Sequence, residues 1–348
     1  KISVLENASK KFKWALLMED PAEEDIPPTL ITNPKWINLI KPVFDIINTI
    51  PGYKEVDISS VFLIFFSVFF AMLIGDAGYG ALIFIATAFT QFKFGKNIKN
   101  KIPLFLMYVL GVCTIIWGLF TGTVFGQQWV HQTVKPIIPW LTKDNNIKEL
   151  CFLIGAAQLT IAHIWQAAKK APSVIALADA GWVCVIWGAF FLARTLIIGT
   201  GFPRFAIGLF IAGLFFVVLF TIPPKNFFKG LFARFITIFL SVIGSFSDVV
   251  SYIRLFAVGM ASVAIADAFN KMASDFGWSS LATGFITVII LVFGHGLNII
   301  LGAMAILVHG VRLNVLEFSS HLNMEWSGIE YNPFSGKKSK IGDNNYGI

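Results

Sequence analysis

The sequence predicts an all-α membrane protein with eight transmembrane helices, the last two long and strongly tilted. Two observations of composition and one of patterning predict it. Of 348 residues, 56% are hydrophobic and 14% charged, with 36 phenylalanines, whereas a soluble globular domain carries about 25% charged residues. Mean hydropathy is +0.74. The apolar residues fall into blocks near the ~20 residues a span requires, separated by glycine, proline and lysine, and the last two blocks are about twice that length.

The net charge of +7 is not a nucleic-acid signal, because the basic residues sit in short loops and at the C-terminus, where they set membrane topology. No nucleic-acid partner is expected, and the lipid bilayer is the first one. Cys113, Cys151 and Cys184 lie in apolar runs without CxxC spacing and read as small buried hydrophobes. No cofactor, resident metal or catalytic group is expected. The chain begins with lysine and shows no signal peptide, so it reads as the C-terminal part of a longer protein.

Residues 1–57 differ in kind. They hold Lys10, Lys11 and Lys13, the acidic cluster Glu19, Asp20, Glu23, Glu24 and Asp25, and Pro27, Pro28 and Pro34. They read as the end of a cytoplasmic N-terminal domain and its linker, with Pro34 able to start a short helix. The transmembrane domain is assigned to 58–322 and a cytoplasmic tail to 323–348. The first apolar run, Ile58–Ile74, is interrupted by Gly75-Asp76-Ala77-Gly78 and resumes at Tyr79–Phe92, which reads as a tight helical hairpin. Asp76 is expected at the far interface. Four lysines follow within Lys93–Lys101. The third span is Ile102 to about Phe125, the fourth Leu150–Ala168, the fifth Val174–Ile198 and the sixth Phe205–Ile222. A polar loop, Gly126–Lys148, precedes the fourth span, and Pro223-Pro224-Lys225 ends the sixth. The seventh runs from about Phe228 to Lys271 and the eighth from about Leu281 to Leu322. Lys337, Lys338 and Lys340 follow in the tail.

Eight spans place both termini on one side. One set of loops holds Lys93, Lys96, Lys99, Lys101, Lys169, Lys170, Lys225, Lys229 and Arg234, and the other only Lys135, Lys143, Lys148 and Arg204. The positive-inside rule makes both termini cytoplasmic. A helix of about 40 residues extends ~60 Å, twice the ~30 Å hydrocarbon core, and must tilt or project.

The last two spans carry the polar groups that matter. Arg254 sits in the apolar run SFSDVVSYIRLFAVGMAS, with Ser247, Asp248, Ser251 and Ser262 near it. A charge deep in a membrane helix is costly and is by default functional. In the eighth span His295, Asn298, Gly302, Ala305, His309 and Arg312 step by three and four, one continuous stripe, and Glu317 follows. Asp248 lies on a different side of the helix from Arg254, and Glu317 reads as solvated near the cytoplasmic end or as a local partner of Arg312. Nothing in the chain is expected to neutralise Arg254, so a carboxylate on another polypeptide is inferred. Gln158 and His163 read as packing residues, and Asp179 and Arg194 carry no strong message.

Four stretches resemble the membrane half of subunit a of rotary V-type ATPases, called subunit I in prokaryotes. They are EEDIPPTLITNPKWINLIKPVFDIINTIPGYKEVD, FAMLIGDAGYG, SYIRLFAVGMASVAIA and ILVHGVRLNVLEF, and the likeness covers residues 20–334. The resemblance implies a stator against a rotor ring of c or K subunits, each with an ion-binding glutamate, together with peripheral and central stalk subunits. Arg254 and Arg312 would pair with the rotor glutamates and separate two half-channels. Candidate lining residues are Ser247, Asp248, Ser251, Ser262, His295, Asn298, His309 and Glu317. Many members carry a glutamate where Gly302 stands and eukaryotic members a histidine where Ser262 stands. Both departures remove titratable groups from the path, which tilts the transported ion from H+ toward Na+ and the source toward a bacterial cell membrane. No GxxxxGK[ST] loop is present, so the chain does not itself hydrolyse ATP. A stand-alone secondary transporter of an anionic solute is the alternative. It calls for internal repeats and helices broken at the midplane, and neither is seen. A metalloenzyme on His295, His309 and Glu317 fails on distance, the two histidines being ~21 Å apart along a helix.

Overall fold

The computed structural model describes residues 2–18, 27–126, 135–221 and 227–331, with backbone alone for 227–234. The acidic cluster at 19–25, Pro223-Pro224-Lys225, residues 127–134 of the polar loop and the tail lysines 337, 338 and 340 lie outside the described residues, as do the side chains of Lys229 and Arg234.

The described elements are helical. An exposed helix α1 (Ile2–Phe12) buries nothing. A 3-10 turn (Ile37–Ile40) leads into α2 (Lys41–Ile47), with proline in its first turn. The spans follow as α3 (Ser59–Ile74), α4 (Ala77–Phe94), α5 (Ile102–Thr121), α6 (Asp144–Lys170), α7 (Ala176–Ala193, prolonged by a π-helical turn Arg194–Ile198) and α8 (Arg204–Thr221). The long helices α9 (Phe227–Ser251) and α10 (Ile253–Phe276) are nearly continuous. The last, α11 (Leu281–Ala305), is prolonged by π-helical segments Ile306–Gly310 and Leu313–Phe318. Strand-like pairing among the described residues amounts to two isolated bridges, Thr29 to Glu330 and Ile50 to Ser327. They clasp the linker to the chain beyond α11, and Trp326 packs on Phe44 there.

By length and composition six helical runs can each cross a membrane, among them Phe235–Phe276 with 42 residues and Leu281–Phe318 with 38. The pair α3 and α4 passes together, bent by 118°. The expected tight hairpin is therefore an open elbow, and α4 lies along α5 rather than back along α3. The reason is local. Gly75 takes a left-handed φ of 71°, which ends α3 at no steric cost. Asp76 then caps α4 through the amides of Gly78 and Tyr79 and also accepts from those of Phe125 and Gly126, both at 2.8 Å. Asp76 is thus buried at 1% exposure and is not an interfacial residue. Four N–H donors replace the water that a buried carboxylate loses.

The core forms around α3. Its phenylalanines Phe62, Phe66 and Phe69 and Leu73 pack with Tyr252 and Leu255 of the α9–α10 region and with Ile306, Leu313 and Phe318 at the end of α11. A second cluster joins Phe152, Ala156 and Leu159 of α6 to Ile186 and Phe190 of α7 and Val249 of α9. The outer pair α7 and α8 approaches closely because Gly181 meets Gly213: a Cβ on either would stand 2.8 Å from the other's carbonyl oxygen. In a bilayer, such small-residue contacts drive helix pairing, since burial of leucine gains nothing against lipid.

The seventh expected span is one continuous helix on sequence, but in the structure it breaks at Tyr252. The eighth is helical to Phe318, with π-helical turns that insert extra residues and rotate the helix beyond them. The polar stripe therefore divides. Asn298 is buried at 2% exposure with Gly302 beside it against α3, whereas Arg312 is turned outward with its side chain 54% exposed.

Candidate functional site

The site lies where the start of α10 meets the end of α11, with α3 and α6 behind. At the α9–α10 break the Leu255 amide bonds to Tyr252 O rather than to Ser251 O. The freed Ser251 carbonyl accepts from Arg254 Nε at 3.0 Å, so the break itself orients the guanidinium. Tyr252 is fully buried and donates to Gln158 Oε1 at 2.9 Å, and Gln158 donates to Asn314 at 2.8 Å. Asn314 in turn donates to Gly310 O at 3.3 Å. This bracket ties α6 to the break on one side and to the π-helical turns on the other.

Glu317 sits inside that frame at 4% exposure. Its Oε1 accepts from Arg254 Nη2 at 2.6 Å and lies 3.5 Å from Arg312 Nε. Its Oε2 is buried with no partner. The expectation that nothing in this chain neutralises Arg254 is thus corrected, as is the solvated placement of Glu317. The π-helical winding of Leu313–Phe318 swings Glu317 inward across the seam, a rotation that regular helical spacing does not reveal.

Two polar clusters flank the arginine. Toward the end of α10, Ser262 Oγ bonds to Asn298 Oδ1 at 3.2 Å, and Asn298 Nδ2 donates to Ser262 O at 2.9 Å and to Tyr79 Oη at 3.0 Å. Tyr79 Oη meets His295 Nδ1 at 2.7 Å, and His295 Nε2 meets Asn270 Oδ1 at 3.1 Å. Asn270 Nδ2 donates to Phe125 O at 2.6 Å. That bond leaves Oδ1 as the acceptor, so the proton sits on His295 Nε2 and Nδ1 receives the tyrosine hydroxyl. At the opposite end, His321 Nε2 lies 3.0 Å from Asp248 Oδ2 and His321 Nδ1 2.9 Å from His163 Nε2. His163 Nδ1 is 3.6 Å from Asp179 Oδ1, and Lys170 Nζ is 2.8 Å from Asp179 Oδ2. An open pocket of about 460 Å³ borders this group.

Between the arginine site and the Ser262 cluster the seam is apolar. No polar side chain stands between Arg254 and Ser262 on α10, or between Asn298 and His309 on α11. Arg254 is about 9 Å along the helix from Asp248 and about 12 Å from Ser262. Of the remaining expected residues, Ser247 is exposed, Ser251 contributes its carbonyl, and His309 is half-buried with Nδ1 unpartnered. The residues that sequence reasoning missed are Tyr79, Asn270, Asn314 and His321, while Gln158, His163 and Asp179 turn out to be bonded into the site. Each sits on another helix or beyond the polar stripe, where spacing carries no signal. Among the described residues no group of three or more His, Cys, Asp and Glu is placed to hold a metal.

No family model matches the chain. Over 96% of its length it is 39% identical to V-type ATP synthase subunit I of Borreliella burgdorferi, covering 58% of that protein. The chain belongs to the subunit I family of V-type and A-type ATP synthases. Subunit I 1 of Treponema pallidum is 33% identical over 96% of the chain and 56% of the relative. An A-type subunit I of Methanocaldococcus jannaschii is 27% identical over 97% of the chain and 53% of the relative. The chain thus spans a little over half the length of the curated subunit I relatives it matches. Subunit I membership and the six long apolar helices make it a multi-pass membrane protein.

Proposed function

We propose that this chain is the membrane part of the stator of a rotary V-type ATPase, carrying Na+ or H+ between two half-channels and a rotor ring. The observation that carries the reading is the Arg254–Glu317 pair at 2.6 Å, which lies between two polar clusters with an apolar seam dividing it from the Ser262 cluster. Such a seam blocks an ion from crossing within this chain, so the ion must leave on something that moves. A rotor carboxylate arriving unloaded would compete with Glu317 for Arg254, and Arg312 beside it would keep Glu317 compensated during the exchange. A rotor site still holding its cation would be repelled. Both follow from charge interaction at low dielectric.

In this reading α10 meets the rotor along the face that carries Arg254. Ala257, Ala261, Ala264 and Ala268 are exposed in line with Arg254. Small residues let a partner helix come close. α11 leaves much of its apolar surface uncovered, with Phe285, Val292, Phe293 and Ile300 exposed.

In this reading α3 and α4 count as one crossing each, which gives eight spans, and α9–α10 and α11 lie strongly tilted. Both termini are on the cytoplasmic side of a bacterial membrane, with Lys169 and Lys170 at that face as the positive-inside rule requires. The Asp248 cluster is then the cytoplasmic half-channel and the Ser262 cluster the far one. Asp248, Ser251, His309 and Glu317 belong to the first, and Ser262, His295 and Asn298 to the second. Rotor and stalk subunits are the partners.

The test is ATP-driven transport by the whole complex in vesicles, titrated with NaCl at fixed pH. Wild type transports, and Arg254→Ala assembles but does not. Transport by Arg254→Ala at the wild-type rate overturns the reading.

A further inference from the structure

The turn beyond α11 reaches back to the segment that carries Glu317. Asn323 stands at a left-handed φ of 53°, the Met324 amide bonds to Ser319 O at 3.1 Å and the Asn323 amide to Ser320 O at 3.0 Å. That pair of bonds closes the helix and reverses the chain. Trp326, also at a left-handed φ of 53°, then lies back on the last turns. For a bulky side chain that conformation costs free energy and persists where the surroundings impose it. The linker supplies them. Phe44 of α2 packs on the indole, centroids 5.9 Å apart. The Glu325 amide donates to Glu55 Oε1 at 2.6 Å. The Gly328 amide donates to Ile50 O at 3.0 Å, and a Cβ on Gly328 would collide with Pro51 O, so the two stretches of backbone touch there.

What Trp326 holds is the Val315 carbonyl. Its Nε1–H is shared between Val315 O at 3.3 Å and Ser319 Oγ at 3.0 Å. The indole can only donate, so Ser319 Oγ receives it and turns its own proton to Val315 O. In an α-helix the Val315 carbonyl would take the Ser319 amide, which here bonds to Leu316 O. Two side chains thus stand in for the α-helical bond at Val315 O. They do so inside the π-helical segment Leu313–Phe318, two residues before Glu317.

From this geometry we infer that Trp326 is a positioning residue for the Arg254–Glu317 pair. Its indole holds the π-helical turn that presents Glu317 inward, and residues 44–55 of the linker hold the indole. π-helical turns are rare, and without the indole N–H regular winding competes. Regular winding returns Glu317 to the register beside Arg312 and away from Arg254. The effect on transport rests on the stator reading above. There Glu317 competes with a rotor carboxylate for Arg254, and once turned away it no longer helps that carboxylate to leave. A shift of the linker against the membrane helices acts on the same turn.

The experiment is a thermal double-mutant cycle of Arg254→Ala and Glu317→Ala in the whole complex, run with and without Trp326→Phe. Phenylalanine keeps a ring on Phe44 and deletes the N–H. The two melting-temperature shifts are non-additive when the tryptophan is present, and that non-additivity shrinks in the Trp326→Phe background. A tryptophan that merely packs would lower every variant alike and leave the non-additivity unchanged, which overturns the assignment. Additive shifts with the tryptophan in place overturn it as well. ATP-driven transport by Trp326→Phe falls roughly 2- to 10-fold, the population change that one lost hydrogen bond brings, and transport at the wild-type rate counts against it equally. Should Trp326→Phe fail to assemble, Gly328→Ala decides by the same cycle, because it forces the clasp apart at Pro51 and keeps the indole. Arg254→Ala alone separates the readings. Normal transport by that variant defeats the stator function and leaves the cycle readable, whereas a dead Arg254→Ala beside an unchanged cycle defeats the role of Trp326 alone.

Discussion

Arg254 and Glu317, 63 residues apart in sequence, share a 2.6 Å ion pair across the seam between α10 and the end of α11. Glu317 is nearly inaccessible and its second oxygen is unpartnered, so the pair is strong but incompletely satisfied. Removing Arg254 leaves the buried Glu317 only its longer contact with Arg312, and removing Glu317 leaves Arg254 without its carboxylate, whereas removing both leaves neither charge. Glu317→Ala and Arg254→Ala should therefore each lower the melting temperature of the complex. The double variant should fall by less than the sum of the two, with a coupling of about 0.5–3 kcal/mol in a double-mutant cycle. Additive losses would show that the pair is not formed.

Arg312 is the weaker element. Its side chain is 54% exposed and its contact with Glu317 is longer, 3.5 Å. Arg312→Ala should slow ATP-driven transport without abolishing it, and Arg312→Lys should recover most of the rate, because a point charge suffices where no bidentate geometry is used. Complete loss in both variants would mean that Arg312 does what we assign to Arg254.

The sequence made the membrane class legible, together with six of the eight expected spans as single long apolar helices and the position of Arg254 within an apolar run, because hydrophobic length and a charge at depth are local signals. It also placed Asn298 and Ser262 among the candidates, and the structure joins them directly. What it concealed has one cause. The elbow at Gly75-Asp76, the break at Tyr252 and the π-helical turns near the end of α11 each rotate the chain beyond them. Residues assigned by regular spacing therefore land elsewhere: Glu317 turns inward, Arg312 outward. The missing partners are contributed by other helices. Tyr79 reaches Asn298 across 219 residues and Gln158 reaches Asn314 across 156, and no periodicity in one helix encodes the identity of its neighbour.

Tyr79 tests the far cluster. Its hydroxyl accepts from Asn298 and donates to His295, so Tyr79→Phe leaves one donor and one acceptor unsatisfied. Each buried polar group so stranded costs about 1–3 kcal/mol. In the reconstituted complex Tyr79→Phe should transport several-fold more slowly with assembly retained, and Asn298→Ala should show the same defect. If the two variants combined are no slower than either alone, they act in one network. Multiplying losses would place them on separate paths.

Asp76 supports that cluster from behind. Its Oδ1 accepts from the amides of Gly78, Tyr79 and Phe125, and its Oδ2 from Gly126. The Phe125 carbonyl receives Asn270, which in turn fixes His295. Asp76→Asn keeps the shape and three of the contacts but turns an NH2 toward the Gly126 amide, donor against donor. It should lower stability by about 1.5–3 kcal/mol, the scale of a hydrogen bond to a charged group. Asp76→Ala strands all four amides and should cost more. Thermal unfolding of the detergent-solubilised complex reads the order wild type, Asp76→Asn, Asp76→Ala. Because these bonds and Asn270 help to hold the Phe125–Gly126 turn, transport by Asp76→Asn should also fall toward the level of Tyr79→Phe. A variant that melts and transports like wild type would mean that the elbow is held by the packing of α4 on α5, and that Asp76 merely occupies it.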